Sequence, residues 1–121
     1  MAVVLIVEDE LFIRGMAETM IQEWGHETLV ASDVEAALVL LRSPTSIDAL
    51  FTDIRLQKAS QGGYEVAREA VRLRPGMAVL YTTSFTAPED MKALGVEGAH
   101  FLPKPYGPDD LKASVDRLLA A

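Results

Sequence analysis

The chain has 121 residues, of which 50% are hydrophobic, with no cysteine and a formal net charge of -7 at pH 7. This length fits a single domain, which we expect to cover residues 1–121 without an effector domain, and the lack of cysteine excludes disulfides and thiolate chemistry. The charge argues against direct binding of nucleic acid, and with no apolar stretch near the ~20 residues of a membrane span and no signal peptide, we expect a cytoplasmic protein.

The first half of the chain alternates between strand-like and helix-like segments. Apolar runs predict strands at residues 3–7, 27–31 and 48–52. The helix after the first strand ends at Gly25, and its predicted inner face consists of Ile13, Met16, Ala17, Met20 and Trp24. Ser32 and Glu35 have the spacing of a capping box that opens the second helix.

The second half continues this alternation. A long loop at residues 54–63 leads into a third helix, and further strands are predicted at residues 78–82 and 99–102. Thr86 and Glu89 form a second possible capping box, at the start of a short fourth helix. A last amphipathic helix opens at Pro108, with its apolar face formed by Leu111, Val115, Leu118 and Leu119.

Five strands alternating with five helices predict an α/β fold in which helices cover both faces of a parallel sheet. The apolar runs are continuous, as is typical of strands buried on both faces. In the flavodoxin-like strand order 2-1-3-4-5, ligands bind beyond the carboxyl ends of strands one and three, where the strand order reverses. Those two strands run into Glu8-Asp9 and Asp53.

Polar side chains follow four of the apolar runs: Glu8 with Asp9, then Asp53, Thr83 and Lys104. Two carboxylates ~4 Å apart repel by about 4 kcal/mol at an effective dielectric of about 20, so three of them need a cation nearby. Mg²⁺ prefers oxygen ligands of this kind. A carboxylate between a metal ion and a lysine is a plausible nucleophile toward a phosphoryl group, and a nearby hydroxyl could hydrogen-bond a phosphoryl oxygen. Alone, Asp9 could instead cap the first helix.

At these residues the chain resembles the receiver domain of two-component response regulators, over nearly its whole length. The matching motifs are Glu8-Asp9, the Asp53 of Phe-Thr-Asp-Ile-Arg-Leu, Thr83 after Val-Leu-Tyr-Thr, and Lys104 in Phe-Leu-Pro-Lys-Pro-Tyr. The resemblance implies that Asp53 is the phosphoacceptor. It also implies Mg²⁺ bound by Asp9, Asp53 and the backbone carbonyl of Arg55, with Glu8 acting mainly through water.

The same resemblance implies which side chains and partners would respond to phosphorylation of Asp53. Lys104 would pair with the phosphoryl group, Thr83 and Ser84 would contact it, and the Phe101 side chain would change rotamer together with Thr83. A cis peptide between Lys104 and Pro105 is a further expectation from the family. The implied partners are a histidine kinase or phosphotransfer protein as donor, and a downstream protein that recognises the face formed by the fourth helix, fifth strand and fifth helix.

Two stretches depart from the family pattern. The loop between Asp53 and Gly63 is longer than usual and lacks the family's proline. The stretch Thr82-Thr83-Ser84-Phe85 is similar to the Ala-Thr-Gly-Tyr of stand-alone receivers without matching it, and counting from the strand start favours Thr83 over Thr82 as the site hydroxyl. If Phe85 covers Asp53, it should slow attack by water on the acyl phosphate.

Three functional classes therefore stay open. They are a phosphorylation-dependent switch, a phosphorylation-independent adaptor with the same fold, and a hydrolase with an aspartyl-phosphate intermediate. The hydrolase would need a second acid just after the nucleophile, where the chain has Ile54-Arg55. The complete set of Glu8, Asp9, Asp53, Thr83 and Lys104 argues against the adaptor.

Overall fold

The computed structural model describes residues 2–57, 59–84 and 88–120, and this part of the chain forms five strands and five helices in alternation. The strands are β1 (Val3–Val7), β2 (Glu27–Ala31), β3 (Ala49–Asp53), β4 (Ala78–Ser84) and β5 (His100–Lys104). The helices are α1 (Leu11–Glu23), α2 (Val34–Arg42), α3 (Gly62–Leu73), α4 (Met91–Leu94) and α5 (Pro108–Leu119). The strands pair in parallel in the order β2-β1-β3-β4-β5, which confirms the predicted fold class.

The sheet separates the core into two layers, because successive side chains of a strand point to opposite faces. One layer lies between the sheet and helices α2 and α3, and its strand residues include Leu5, Val7, Leu50, Val79 and Tyr81. The other lies between the sheet and helices α1 and α5, and its strand residues include Val4, Ile6, Phe51, Leu80 and Leu102. We call these two sides of the sheet the α2–α3 face and the α1–α5 face.

Helix α1 packs with a slightly different face from the predicted one. Its buried residues are Ala17 and Ile21, one helical turn apart. Met16 was predicted to point inward but is 45% exposed, and Ile21 was missed. Both differences arise because apolar residues occur around most of this helix, so their spacing does not show which stripe contacts the sheet and α5.

Helix α2 begins one residue later than predicted. Its N-cap is Asp33, whose carboxylate accepts a hydrogen bond of 2.8 Å from the backbone N–H of Ala36. The predicted capping box of Ser32 and Glu35 is therefore wrong. At the other end, the Arg74 guanidinium donates to the backbone carbonyls of Leu41 and Ser43, which satisfies acceptors that a helix end leaves unpaired.

Strands β4 and β5 extend beyond the predicted ends. The register pairs Thr83 with Pro103 and Ser84 with Lys104, so the ladder continues through residues that were expected to follow the strands. Asp53 is likewise the last residue of β3 rather than the first residue after it. The predicted site residues Asp53, Thr83, Ser84 and Lys104 thus lie within strands of the sheet.

Helix α4 is short and none of its residues is buried. It begins at Met91, after Asp90, and Thr86 of the second predicted capping box lies outside the described residues. Two fully buried tyrosines connect it to the core, with ring centroids 5.4 Å apart in an edge-on arrangement. The Tyr64 hydroxyl donates to the Asp90 carboxylate at 2.8 Å, and the Tyr81 hydroxyl accepts from the Val96 N–H at 3.0 Å.

Every helix in the described ranges is too short or too polar to span a bilayer.

Candidate functional site

Four of the predicted site residues meet at the carboxyl edge of the sheet. One carboxylate oxygen from each of Glu8, Asp9 and Asp53 lies within 4.8 Å of the others. The Lys104 ammonium nitrogen lies 2.7 Å from Glu8 Oε1 and 2.9 Å from Asp53 Oδ2. Side-chain exposure is 5% for Glu8, 7% for Asp53 and 12% for Lys104, so this ion-pair group is almost removed from water.

One lysine charge cannot neutralise both buried carboxylates. Burial raises the pKa of Glu8 to about 7; repulsion from Asp53 acts in the same direction, and the hydrogen bond from Lys104 opposes it. Burial also raises the pKa of Asp53, against the hydrogen bond from Lys104. Burial disfavours the charged form of Lys104, but hydrogen bonds to Glu8 and Asp53 outweigh it and raise the pKa of the ammonium. The metal-free site therefore favours a proton on Glu8, and a further cation would stabilise the ionised carboxylates instead.

The carboxylate cluster fits a small divalent cation. Three residues offer hard oxygen donors within one small volume, which is the ligand chemistry that Mg²⁺ prefers. Asp9 is half-buried and is not the N-cap of α1, since that position belongs to Glu10. The alternative interpretation of Asp9 as a helix cap is therefore wrong. The backbone carbonyl of Arg55 stays a predicted ligand.

Gly63 supports the backbone that carries Asp53. Its N–H donates to the carbonyl of Ile54 at 2.9 Å. A Cβ atom at this position would lie 2.1 Å from the Asp53 carbonyl oxygen, so no larger residue fits without displacing the end of β3. Sequence reasoning missed this role, although two successive glycines at the start of a predicted helix are an indication of close backbone approach.

The long loop before α3 closes on itself. Leu56 and Ala59 exchange backbone hydrogen bonds of 3.0 and 2.8 Å, and Leu56 is buried in the α2–α3 face. Lys58 lies outside the described residues. The loop that lacks the family's proline is thus anchored by the buried Leu56 side chain and by the hydrogen bonds between Leu56 and Ala59.

The two threonines near the end of β4 lie on opposite sides of the sheet. Thr82 is the register partner of Asp53 and follows Leu80 on the α1–α5 face. Thr83 pairs with Pro103 and follows Tyr81 on the α2–α3 face. Both are buried. The sequence could not show which threonine is the neighbour of Asp53 on its own face, because that depends on the register between β3 and β4.

The remaining predicted residues are placed around this edge. Phe101 pairs with Tyr81 and is half-buried on the same face as Thr83, which is compatible with coupled movement of the two side chains. Ser84 is exposed, and its role, like that of Thr83, stays a prediction. Phe85, the predicted cover over Asp53, lies outside the described residues.

A cavity of about 390 Å³ opens beside Lys104. The peptide bond before Pro105 is cis, as expected. Tyr106 forms part of the wall and packs on Phe51, with ring centroids 5.9 Å apart. The other lining residues are Glu10, Phe12, Ile13, Met16, Ser84, Lys104 and Pro105.

The known proteins to which this chain is similar include response regulator receiver proteins. The family model described as response regulator receiver domain matches residues 4–116. A response regulator receiver protein of Anaeromyxobacter sp. (strain Fw109-5) is 37% identical over 103 residues, which cover 84% of this chain and 42% of that protein. This chain therefore spans less than half of that relative's length.

Solved structures are similar over almost the whole chain. A response regulator receiver protein from Sinorhizobium medicae WSM419 has 28% sequence identity and a TM-score of 0.90, covering 99% of this chain and 95% of its own. The chemotaxis response regulator CheY4 of Vibrio cholerae also has 28% identity, with a TM-score of 0.85, covering 98% of this chain and 99% of its own.

Proposed function

This chain belongs to the response regulator receiver domain family, and we propose that it is a phosphorylation-dependent signalling switch whose phosphoacceptor is Asp53. The observation that carries the proposal is the position of the Asp53 carboxylate, which is buried, lies 2.9 Å from the Lys104 ammonium and belongs to a group of three carboxylates. A carboxylate placed between cations can attack phosphorus, because the cations neutralise the charge spread over the phosphoryl oxygens.

In the proposed reaction, Asp9, Asp53 and the Arg55 carbonyl would hold Mg²⁺, and Glu8 would contribute mainly through water. When bound, the ion supplies positive charge for the carboxylates and the phosphoryl oxygens. One Asp53 oxygen forms the new bond to phosphorus while the bond to the donor histidine nitrogen breaks. Lys104, which bridges Glu8 and Asp53 before transfer, pairs with the phosphoryl group afterwards. The chain is a phosphoacceptor in this reaction and not an enzyme that turns over a substrate.

The proposed switch responds to the charge that phosphorylation adds, about -1.5 to -2 near neutral pH. Thr83 is drawn toward the phosphoryl group, and Phe101 follows it because both lie on the α2–α3 face. Helix α4 borders this region and has no buried residue of its own, so its position depends on few contacts and is easily changed. We propose that the face formed by α4, β5 and α5 carries the signal to a downstream protein.

A protein phosphodonor, a histidine kinase or a phosphotransfer protein, is supported by the surface of α1 beside the site. Leu11 and Phe12 are 74% and 77% exposed, and Phe12 and Met16 also line the cavity that opens next to Lys104. Exposed apolar residues grouped in this way mark protein contact sites. A net charge of -7 supports protein partners over nucleic acid. A cytoplasmic location is part of this proposal.

The test is incubation with Mg²⁺ and acetyl phosphate, followed by intact mass measurement. We expect a gain of one phosphoryl group, its loss in Asp53→Asn, and its retention in Asp116→Asn, which removes an exposed carboxylate on α5. Phe12→Ser should be labelled normally by acetyl phosphate and more slowly by a phosphorylated kinase. No mass gain in the wild-type chain would reject the proposal and leave the adaptor, whereas a gain that survives Asp53→Asn would reject Asp53 as the phosphoacceptor.

A further inference from the structure

Within residues 2–57, 59–84 and 88–120, the hydroxyl of Thr82 is the only buried side-chain nitrogen or oxygen without a hydrogen-bond partner. Thr82 is 2% exposed, so bulk water does not replace the missing partner. An unpaired buried hydroxyl destabilises a fold, and valine would fill nearly the same volume without that penalty. An unsatisfied group of this kind requires an explanation in the function or the conformational states of the protein.

The position of Thr82 suggests what its hydroxyl pairs with. Thr82 is the register partner of Asp53, so the two side chains are neighbours on the α1–α5 face. By strand alternation Glu8 and Lys104 lie on this face too, since they follow Ile6 and Leu102. Neighbouring strands lie about 4.8 Å apart, and threonine has more than one accessible χ1 rotamer. A staggered χ1 rotamer that turns the hydroxyl toward β3 would therefore place it next to the Asp53 carboxyl group.

We propose that Thr82 is a positioning residue for phosphorylated Asp53, and this inference rests on the proposed function. Before transfer, an Asp53 oxygen is paired with Lys104. In this proposal the new bond to phosphorus forms at Oδ1, so Oδ2 becomes the aspartyl carbonyl oxygen. When Lys104 turns to the phosphoryl group, Oδ2 loses that donor, and the Thr82 hydroxyl donates to it instead. Thr82 thereby fixes the orientation of the acyl phosphate from the α1–α5 face, whereas Thr83 acts from the opposite face.

Beryllium trifluoride, a reversible analogue of the phosphoryl group, tests this proposal in the presence of saturating Mg²⁺. Thr82→Val should raise the melting temperature of the metal-free protein, because it removes the unpaired hydroxyl. The same substitution should weaken beryllium trifluoride binding, measured by calorimetry, about 5- to 10-fold, the effect of losing one hydrogen bond. Thr82→Ser keeps the hydroxyl and should bind the analogue like the wild type.

A purely structural role of Thr82 would not combine a higher melting temperature with weaker binding of beryllium trifluoride in Thr82→Val. Equal binding of the analogue by Thr82→Val and the wild type would overturn the role of Thr82 alone. The role of Thr82 would also be overturned if Thr82→Val lost both stability and affinity for the analogue. The same holds if Thr82→Ser bound the analogue as weakly as Thr82→Val. If the wild type itself does not bind the analogue with Mg²⁺, the proposed function fails and the role of Thr82 fails with it.

Discussion

At the scale of single residues, Glu8 and Asp53 share one lysine, and this arrangement sets how the metal-free fold responds to pH. Glu8 is 4% exposed, and burial raises its pKa in the fold from 4.5 to about 7. Between these values the unfolded chain releases the proton and the folded chain keeps it. The free energy of unfolding therefore falls as pH rises through this window, by up to about 3 kcal/mol from Glu8.

The corresponding prediction concerns Glu8→Gln in the presence of a chelator. The variant should lose much of the decrease in stability between pH 4.5 and 7, since glutamine does not titrate. Urea unfolding at several pH values measures this. Asp53 contributes with the same sign because its pKa is also raised, so some decrease should remain. Glu23→Gln, at an exposed position of α1, should follow the wild type. A Glu8→Gln curve parallel to that of the wild type would contradict the prediction.

Part of the candidate site could be predicted residue by residue from the sequence. Glu8, Asp9, Asp53 and Lys104 were predicted to meet because each follows or ends an apolar run, and parallel strands bring such ends to one edge. The choice between Thr82 and Thr83 could not be made in the same way. Both lie inside β4, and only the register with β3 shows which one is the neighbour of Asp53 on its own face.

At the scale of elements, the junction between β3 and α3 holds the proposed nucleophile in place. Gly63→Ala would place a Cβ atom 2.1 Å from the Asp53 carbonyl oxygen, and the atoms in conflict belong to the backbone. We expect a loss of stability of about 3 kcal/mol or more, as for other substitutions that force a backbone shift. Phosphorylation by acetyl phosphate should fall in the fraction that stays folded, since the shift moves Asp53 away from Lys104.

A matched substitution separates this clash from the general effect of replacing glycine in a helix. Gly15 lies within α1, and a Cβ atom there would meet nothing within 4 Å. Gly15→Ala should therefore raise stability by about 0.5–1 kcal/mol through helix propensity. Thermal unfolding of the two variants measures the difference. If Gly63→Ala is as stable as the wild type, the close packing of α3 on β3 is wrong.

Elements were predicted well in their centres and less well at their ends. The five apolar runs identified the strands, but the ends of β4 and β5 depend on pairing with each other. Ser32 and Asp33 are both good capping residues, so the sequence does not show which one caps α2, and in the structure it is Asp33. The tyrosine contacts to α4 were missed, because Tyr64 and Tyr81 look like ordinary core residues in the sequence.

At the scale of the whole molecule, the chain is acidic, and the strand order also brings several carboxylates together at the carboxyl edge of the sheet. The formal charge is -7, and three carboxylates meet at the edge of the sheet. Added salt screens the general repulsion, whereas a bound ion acts only at the site. Mg²⁺ at 100 times its dissociation constant would add about 2.7 kcal/mol to the free energy of unfolding, if the unfolded chain does not bind it.

We therefore expect MgCl₂ to raise the melting temperature by several degrees more than NaCl of the same ionic strength. Asp9→Asn should remove this difference, because it deletes a proposed ligand, and should not destabilise the metal-free protein, because it also relieves repulsion. Glu97→Gln makes the same change in net charge at an exposed position after α4 and should keep the Mg²⁺ effect. If Asp9→Asn and Glu97→Gln respond alike to Mg²⁺, the stabilisation comes from screening over the whole surface and the carboxylate cluster is not a metal site.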